Sequence, residues 1–298
     1  MDKVLTLIAG GAGGLDDGIV AAAGAALQRV GAGPGAPQWL ADGLACDLPF
    51  AGSDPRVAAR AVQAGLAGQA VDAVAQPVQG RRKALLVADM DMTVITHETL
   101  DEIAAEAGVG DTVAAITRRA MNGEIDFAEA LHERVALLRG HPAALLDRVL
   151  DRTQLTPGAR SLVATMRAGG ATCILVSGGF THFTAPVAAA AGFQAAEGNQ
   201  LEIAGGRLTG RVVGPVVDKH RKVAALHDWT SRLGLERGQT LAVGDGANDL
   251  PMLLEAGLGV AFHAKPVVRD QAPARIDHGD LSALLYLQGY RRDEILPD

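Results

Sequence analysis

The feature that most constrains the fold is a repeated pattern: a short apolar run, a polar or glycine-rich cluster directly after it, then a helical stretch. The runs are ALLVA at residues 84–88, TCILV at 172–176, TLAV at 240–243 and LGVAF at 258–262. Unbroken apolar runs of this length mark strands buried on both faces, which calls for an α/β fold with a parallel sheet and crossover helices. In open sheets of that kind, ligands bind outside the carboxyl ends of the strands. The residues directly after each run therefore matter most. Asp89 succeeds the first, Ser177, Gly178 and Gly179 the second, and Gly244, Asp245 and Gly246 the third. Three polar clusters at three strand ends are expected to converge on one crevice.

The rest of the chain divides around this pattern. Composition shifts near residue 80, where VQGRRK (78–83) reads as an exposed polar connector after an Ala- and Gly-rich stretch. Residues 1–80 are expected to form a βαββαβ module. Its parts are a strand at KVLTLIA, a helix over 16–30, a loop over 31–37, strands near Trp39 and Asp47, a helix over 55–66, and a closing strand at AVDAVAQ. GGAGGLDDG (10–18) is not a dinucleotide fingerprint, because Asp16 stands where GxGxxG requires a glycine. A strand-to-helix turn is expected there. Leu100, Ile103, Ala104 and Ala107 recur at helical spacing, as do Phe127, Leu131, Val135 and Leu138. Residues 97–151 thus read as a small helical bundle inserted as a cap, leaving 81–96 and 152–298 as the core. LEIAGGRLTGRV (201–212) alternates around Gly205 and Gly206, a hairpin signal.

Composition excludes several function classes. The 27 Lys and Arg against 34 Asp and Glu give a net charge of -7, and no basic cluster suggests a nucleic-acid partner. Glycines, prolines and charges interrupt every apolar run before the ~18 residues a membrane span needs, and no signal-like start is present. Cys46 and Cys173 lie far apart and form no CxxC pair, so a disulfide framework or structural zinc is not expected. The expectation is a soluble cytoplasmic protein. The eight histidines show neither HExxH nor HxH spacing.

DMD at 89–91, taken alone, admits a general acid/base pair, a metal site, or a covalent nucleophile with a helper. Asp245 and Asp249 in GDGANDL add two carboxylates at a neighbouring strand end, an oxygen-rich set suited to a hard cation such as Mg2+. Lys222, in the helical stretch before the third run, offers a point positive charge. Ser177 with the Gly178 and Gly179 N–H groups, opening the helix after the second run, offers fixed donors for a phosphoryl group. Duller roles compete. Ser177 could simply cap a helix, Asp249 could orient its loop, and Lys222, Glu98 and Arg134 could be solvated like most charged residues on helices.

Together, DMDMT (89–93), VSGG (176–179), Lys222 and GDGANDLPM (244–252) resemble the four motifs of the haloacid dehalogenase superfamily of phosphotransferases, in order. IDFAEALHERVALLRG, LTPGA, LVSGGF and GLGVAFHAKP extend the resemblance to the phosphoserine phosphatase family, over roughly residues 84–290. The resemblance implies a Rossmann-like core, a helical cap, and an ACT-like module over 1–80. It implies Asp89 as nucleophile and Asp91 as acid, then base. Mg2+ would lie on the Asp89 carboxylate, the Asp91 backbone carbonyl and Asp245, with Asp249 completing or orienting the shell. Ser177, Gly178 and Asn248 would hold phosphate while Thr93 positions the nucleophile loop. In the cap it implies Glu98 for the ammonium of O-phosphoserine, Arg134 for its carboxylate, and Phe127 as an apolar lid. Phe127 and Arg134 are seven apart, hence on one face of one helix. Met92 departs from the small or hydroxyl residue many members carry. The small-molecule substrate is compatible with a monomer or homodimer. Competing readings are phosphoryl transfer to another hydroxyl, such as that of homoserine, and a non-catalytic amino-acid sensor.

Overall fold

A computed structural model of the chain describes residues 1–121 and 124–298. The first part runs β1 (Lys3–Ala9), α1 (Asp17–Arg29), β2 (Gly33–Pro34), β3 (Gln38–Ala41), β4 (Ala45–Ala51), α2 (Pro55–Gly65) and β5 (Val71–Pro77). Its antiparallel sheet has the order β2-β4-β1-β5, with β3 also paired to β4. Leu5, Leu7 and Phe50 on one face of the sheet pack against Leu27 of α1 and Val62 of α2 in a core of their own. The stretch 10–18 is a turn into α1, and Asp16 is there to cap it: its side chain accepts from the Ile19 N–H. Sequence reasoning expects only loop over 31–37. Gly33 and Pro34 instead pair with Ala51 and Phe50, a strand too short to leave a periodic signal.

The second part begins with β6 (Leu85–Ala88) and passes through α3 (Thr99–Glu106), α4 (Gly110–Met121), α5 (Phe127–Ala136), α6 (Ala144–Leu150) and α7 (Ala159–Ala168). It continues with β7 (Thr172–Phe180), α8 (Thr181–Ala191), β8 (Ala195–Ala204), β9 (Arg207–Val213) and α9 (Lys219–Arg232). Then come β10 (Thr240–Gly244), α10 (Leu250–Glu255), β11 (Leu258–Phe262), α11 (Pro266–Gln271), β12 (Ala274–Ile276) and α12 (Ala283–Leu287). The strands form one sheet in the order β12-β11-β10-β6-β7-β8-β9, parallel except for the β8–β9 pair.

β6 lies in the middle and every residue of it is buried. Leu86 and Ala88 face the core shared with α7, α8 and α12, while Leu85 and Val87 face the opposite core with α9 and α10. That two-sided burial is why the run is apolar without alternation. After β6 the chain builds outward through β7 and β8, then returns to build the other half through β10, β11 and β12. β6 and β10 therefore flank the switch point, where the diverging loops leave a crevice.

The junction between the two parts departs from expectation. Arg81, in the stretch expected to be an exposed connector, is a clamp whose side chain is only 11% exposed. Its guanidinium donates to both Asp47 carboxylate oxygens at 2.6 and 3.1 Å, to Thr6 Oγ1 at 3.0 Å and to the Leu287 carbonyl at 3.1 Å. Asp72 of β5 accepts from the backbone N–H groups of Asp277, His278 and Gly279. The partners in the second part lie some 200 residues away in sequence, so local composition carries no trace of them. Residues 78–80 themselves are exposed, as expected.

Candidate active site

The parallel register places the acidic groups. Ala88 of β6 stands opposite Val243 of β10, and the Asp89 N–H donates to the Val243 carbonyl at 3.0 Å, so Asp89 and Asp245 leave adjacent strand ends. Beyond Asp89 the chain makes one wide turn over Met90–Val94, in which Met92 takes a left-handed φ of 54°. This reversal carries Asp91 back over the strand ends. One of its oxygens accepts from the Thr99 N–H at 2.9 Å and the other from the Ser177 hydroxyl at 3.3 Å. Thr93 is fully buried in the turn, and among the described residues its hydroxyl meets no hydrogen-bond partner.

Lys222 is delivered by α9. Asp218 caps that helix by accepting from the His220 and Arg221 N–H groups, and Lys222 falls on the inward face with Ala225 and Leu226. Its ammonium, fully buried, lies 2.5 Å from an oxygen of Asp89 and 2.5 Å from one of Asp249. The second Asp249 oxygen accepts from the Gly246 N–H at 2.9 Å. Gly244 has no side chain because Asp249 occupies the place where its Cβ would be. Asn248 is half-buried in the same loop. Asp89, Asp245 and Asp249 are all buried, and one carboxylate oxygen of each lies within 4.8 Å of the other two.

The Ser177-Gly178-Gly179 stretch differs from expectation in one respect. It does not open a helix; β7 continues through it to Phe180, and α8 starts at Thr181 with Phe180 as its cap. The reason is Ser177, whose hydroxyl accepts from the Gly179 N–H at 2.8 Å, and Asn199 of β8, whose amide donates to the Gly178 carbonyl at 2.7 Å. The ladder with β8 shifts register between Val176 and Phe180, so the stretch bulges out of the strand rather than winding into a helix. The glycines permit close approach: a Cβ on Gly179 would lie 2.7 Å from an Asp91 oxygen, and one on Gly178 would lie 2.9 Å from the Phe127 ring. Sequence reasoning missed Asn199; its only mark in the sequence was a polar residue just before the hairpin signal at 201–212.

The residues expected in a cap lie on α5 and at the start of α3. Phe127 starts α5 and reaches down to Gly178. Arg134, about two turns further along the same face of α5, is half-buried, donates to the Ala130 carbonyl at 3.1 Å, and stands in the fields of Asp101 and Glu98. Glu98 stands where the chain enters α3, exposed as a residue but with its carboxyl turned away from water into the fields of Asp91 and Asp245.

The profile of haloacid dehalogenase-like hydrolases matches residues 86–254. The chain belongs to that family. A phosphoserine phosphatase of Mycobacterium tuberculosis is 48% identical over 215 residues, which are 72% of this chain and 53% of that protein. The chain thus spans about half the length of that relative. A phosphoserine phosphatase of Streptococcus thermophilus is 49% identical over 199 residues, covering 67% of this chain and 93% of that one. Among solved structures, a haloacid dehalogenase family hydrolase of Salmonella enterica serovar Typhi superposes with a TM-score of 0.84 at 29% identity, covering 96% of this chain and 98% of that one.

The haloacid dehalogenase-like crevice concentrates more negative charge than its cations balance. Burial first, and then Asp249, pushes Asp89 well above the usual carboxylate range against the pull of Lys222. Burial also raises Asp91, opposed by the Thr99 N–H, and burial with Asp249 pushes Asp245 up to about 6. Burial works against the charge on Lys222 too, but Asp249 and Asp89 outweigh it and hold the ammonium above the usual lysine value. The donor set, all hard carboxylate oxygen in a buried cluster short of positive charge, fits a small divalent cation.

These signs make stability depend on pH and on metal together. A carboxyl whose pKa is raised on folding stabilises the fold below its unfolded value, near 4, and loses that contribution as pH rises through its folded value, here about 6 for Asp245. A cation that neutralises the cluster restores what is lost. Melting with excess Mg2+ and with chelator should therefore differ more at pH 7.5 than at pH 5, approaching about 2.7 kcal/mol at a hundredfold excess over Kd. Equal differences at the two pH values would contradict a carboxylate-held cation.

Proposed function

We propose that the chain hydrolyses O-phospho-L-serine to L-serine and phosphate by way of a phosphoryl group carried on Asp89, with Mg2+ as cofactor. The observation that carries the reading is the meeting of Asp89, Lys222 and Asp91 at one strand end of a chain whose named relatives are phosphoserine phosphatases.

An Asp89 carboxylate oxygen forms a bond to phosphorus as the bond from phosphorus to the serine oxygen breaks, and the departing oxygen takes its proton from Asp91. The raised pKa of Asp91 suits it to hold that proton. Water then gives a proton to Asp91 and attacks the phosphorus, releasing phosphate and returning Asp89 to a carboxylate. Lys222 stands against Asp89 throughout and faces the charge that builds on the phosphoryl oxygens. Ser177, the Gly178 N–H and Asn248 hold those oxygens, and Thr93 packs the turn that carries the nucleophile. Asp89, the Asp91 carbonyl and Asp245 would hold Mg2+, with Asp249 orienting the set. The bound cation supplies the positive charge that lets an anionic nucleophile approach an anionic ester.

Substrate choice falls to the cap. Glu98 faces the ammonium, the planar Arg134 fork takes the carboxylate, and Phe127 covers the pocket. Arg134→Ala is expected to lower kcat/KM for phosphoserine about 30- to 100-fold, roughly the 2–3 kcal/mol of one charged hydrogen-bonded contact, mainly through KM. Turnover of phosphoethanolamine, which has no carboxylate, should change little. Loss of water around its carboxyl first, then Asp91 and Asp245, pushes Glu98 up to about 7, opposed by Lys265. Affinity for the ammonium should accordingly improve as pH rises toward 7, and Glu98→Gln should erase that limb. The deciding experiment is phosphate release from phosphoserine and a panel of phospho-sugars, with Mg2+ and with chelator. Preference for a phospho-sugar would overturn the substrate, and metal-independent turnover would overturn the mechanism.

Cys46 and Cys173 are both buried and unpaired, which supports a reducing compartment such as the cytoplasm. No helix among the described residues is long and apolar enough to cross a membrane.

A further inference from the structure

The β8–β9 hairpin touches both halves of the site while supplying none of its reacting groups. At its inner end, Asn199 is almost fully buried and satisfied in two directions. Its amide nitrogen donates to the Gly178 carbonyl at 2.7 Å, and its amide oxygen accepts from the Val217 N–H at 2.8 Å, just before α9 and Lys222. One side chain thus ties the phosphate loop to the approach of the lysine helix. Gly198 beside it makes the close contact possible, since a Cβ there would lie 3.2 Å from the Gly179 carbonyl oxygen.

At its outer end the same hairpin holds the cap. The Gly140 N–H donates to the Leu208 carbonyl at 2.8 Å, the Leu208 N–H to the His141 carbonyl at 2.9 Å, and the Ala143 N–H to the Gly206 carbonyl at 2.9 Å. Arg207, whose side chain is exposed, adds a bond of 2.6 Å to the Gly140 carbonyl. Gly210 has a left-handed φ of 80°, and a Cβ there would lie 2.9 Å from Arg139 Cβ and 3.2 Å from the Ala136 carbonyl oxygen. Residues 136–143 are the end of α5 and the segment directly after it, and α5 carries Phe127 and Arg134.

We infer that the β8–β9 hairpin is a strut that fixes the height of α5 above the phosphate loop, with Asn199 and Gly210 as its positioning residues. It sets how far Arg134 and Phe127 stand from a phosphate seated at Ser177 and Gly178, and so how well the site tells an amino-acid phosphate from any other phosphomonoester. The two ends have different consequences. Disturbing the outer end moves chiefly recognition, because Arg134 and Phe127 face the amino-acid part of the substrate in the phosphoserine reading. Disturbing the inner end moves the cradle that every phosphomonoester uses.

The strut rests on the phosphoserine reading, and the test separates the two. Steady-state kinetics are measured on O-phospho-L-serine and on p-nitrophenyl phosphate, which carries neither ammonium nor carboxylate. Gly210→Ala is expected to raise KM for phosphoserine about tenfold, with kcat within about threefold and p-nitrophenyl phosphate within about twofold. Arg207→Ala, a surface change that keeps the protein foldable should Gly210→Ala not, is expected to act in the same direction by about two- to threefold. Asn199→Asp, which turns a donor into an acceptor facing the Gly178 carbonyl, is expected to lower kcat about 10- to 100-fold on both substrates alike. A strut is overturned if the outer-end variants keep the wild-type preference for phosphoserine, or lose both substrates equally. A wild-type protein with no preference for phosphoserine would instead overturn the substrate reading, and this role of the hairpin with it.

Discussion

Asp89→Asn is expected to abolish phosphate release, a loss on the order of 10,000-fold or more, as for other covalent nucleophiles whose reacting atom is removed. The amide cannot attack phosphorus to give a hydrolysable intermediate, yet it fits the same space and still offers Lys222 an oxygen. The fold should survive. Burying a charged Asp89 is unfavourable, which is what its raised pKa means, so replacing it removes a penalty as well as an ion pair. Single-turnover release and a melting curve, recorded together, check both halves. Phosphate release near the wild-type rate would remove Asp89 from the mechanism, and an unfolded variant would leave Lys222 to decide it.

Lys222→Met is expected to damage both chemistry and stability. The ammonium is fully buried with two carboxylates at 2.5 Å, so its loss leaves Asp89 and Asp249 facing each other without a counter-charge. Breaking a buried pair in this way costs about 3–5 kcal/mol at neutral pH, more than the apolar stem of methionine returns. Stabilisation of the phosphoryl charge goes with it, for a fall in kcat on the order of 100- to 1,000-fold. Lys222→Arg is not expected to rescue either property, because a planar guanidinium does not fit between two carboxylates placed for a point charge. Urea unfolding and initial rates at saturating substrate test this. A variant within about 1 kcal/mol and tenfold in rate of the wild type would show that the cation serves neither purpose.

The placing of the acidic residues at the strand ends was readable in the sequence because it follows short-range rules. A strand buried on both faces must be a continuous apolar run, and the residue after such a run must face the crevice, so Asp89 and Asp245 could be placed from their neighbours alone. What was not readable depends on partners remote in the chain. The path of Ser177 to Phe180 is tied to β8 by Asn199, twenty-one residues from the carbonyl it binds. Two glycines after a serine, judged locally, suit a helix start equally well. Arg81 looked like a linker residue because nothing near it in sequence reveals Asp47 or Leu287. The hairpin was recognisable from Gly205 and Gly206, but its incorporation in the main sheet was not, since β8 reads as one strand of a pair and is also a parallel neighbour of β7.

The clamp at the junction also orders the steps of folding. Residues 1–77 carry an apolar core of their own between sheet and helices, so that face can condense without the second part. Their docking partners lie some 200 residues further along: Asp72 waits for the amides of 277–279, and Gln76 and Arg81 wait for the Leu287 carbonyl. Until then the Asp72 carboxylate has only water to bind. The seam between the two sheets therefore cannot close until residues 277–287 have taken their places in the second part.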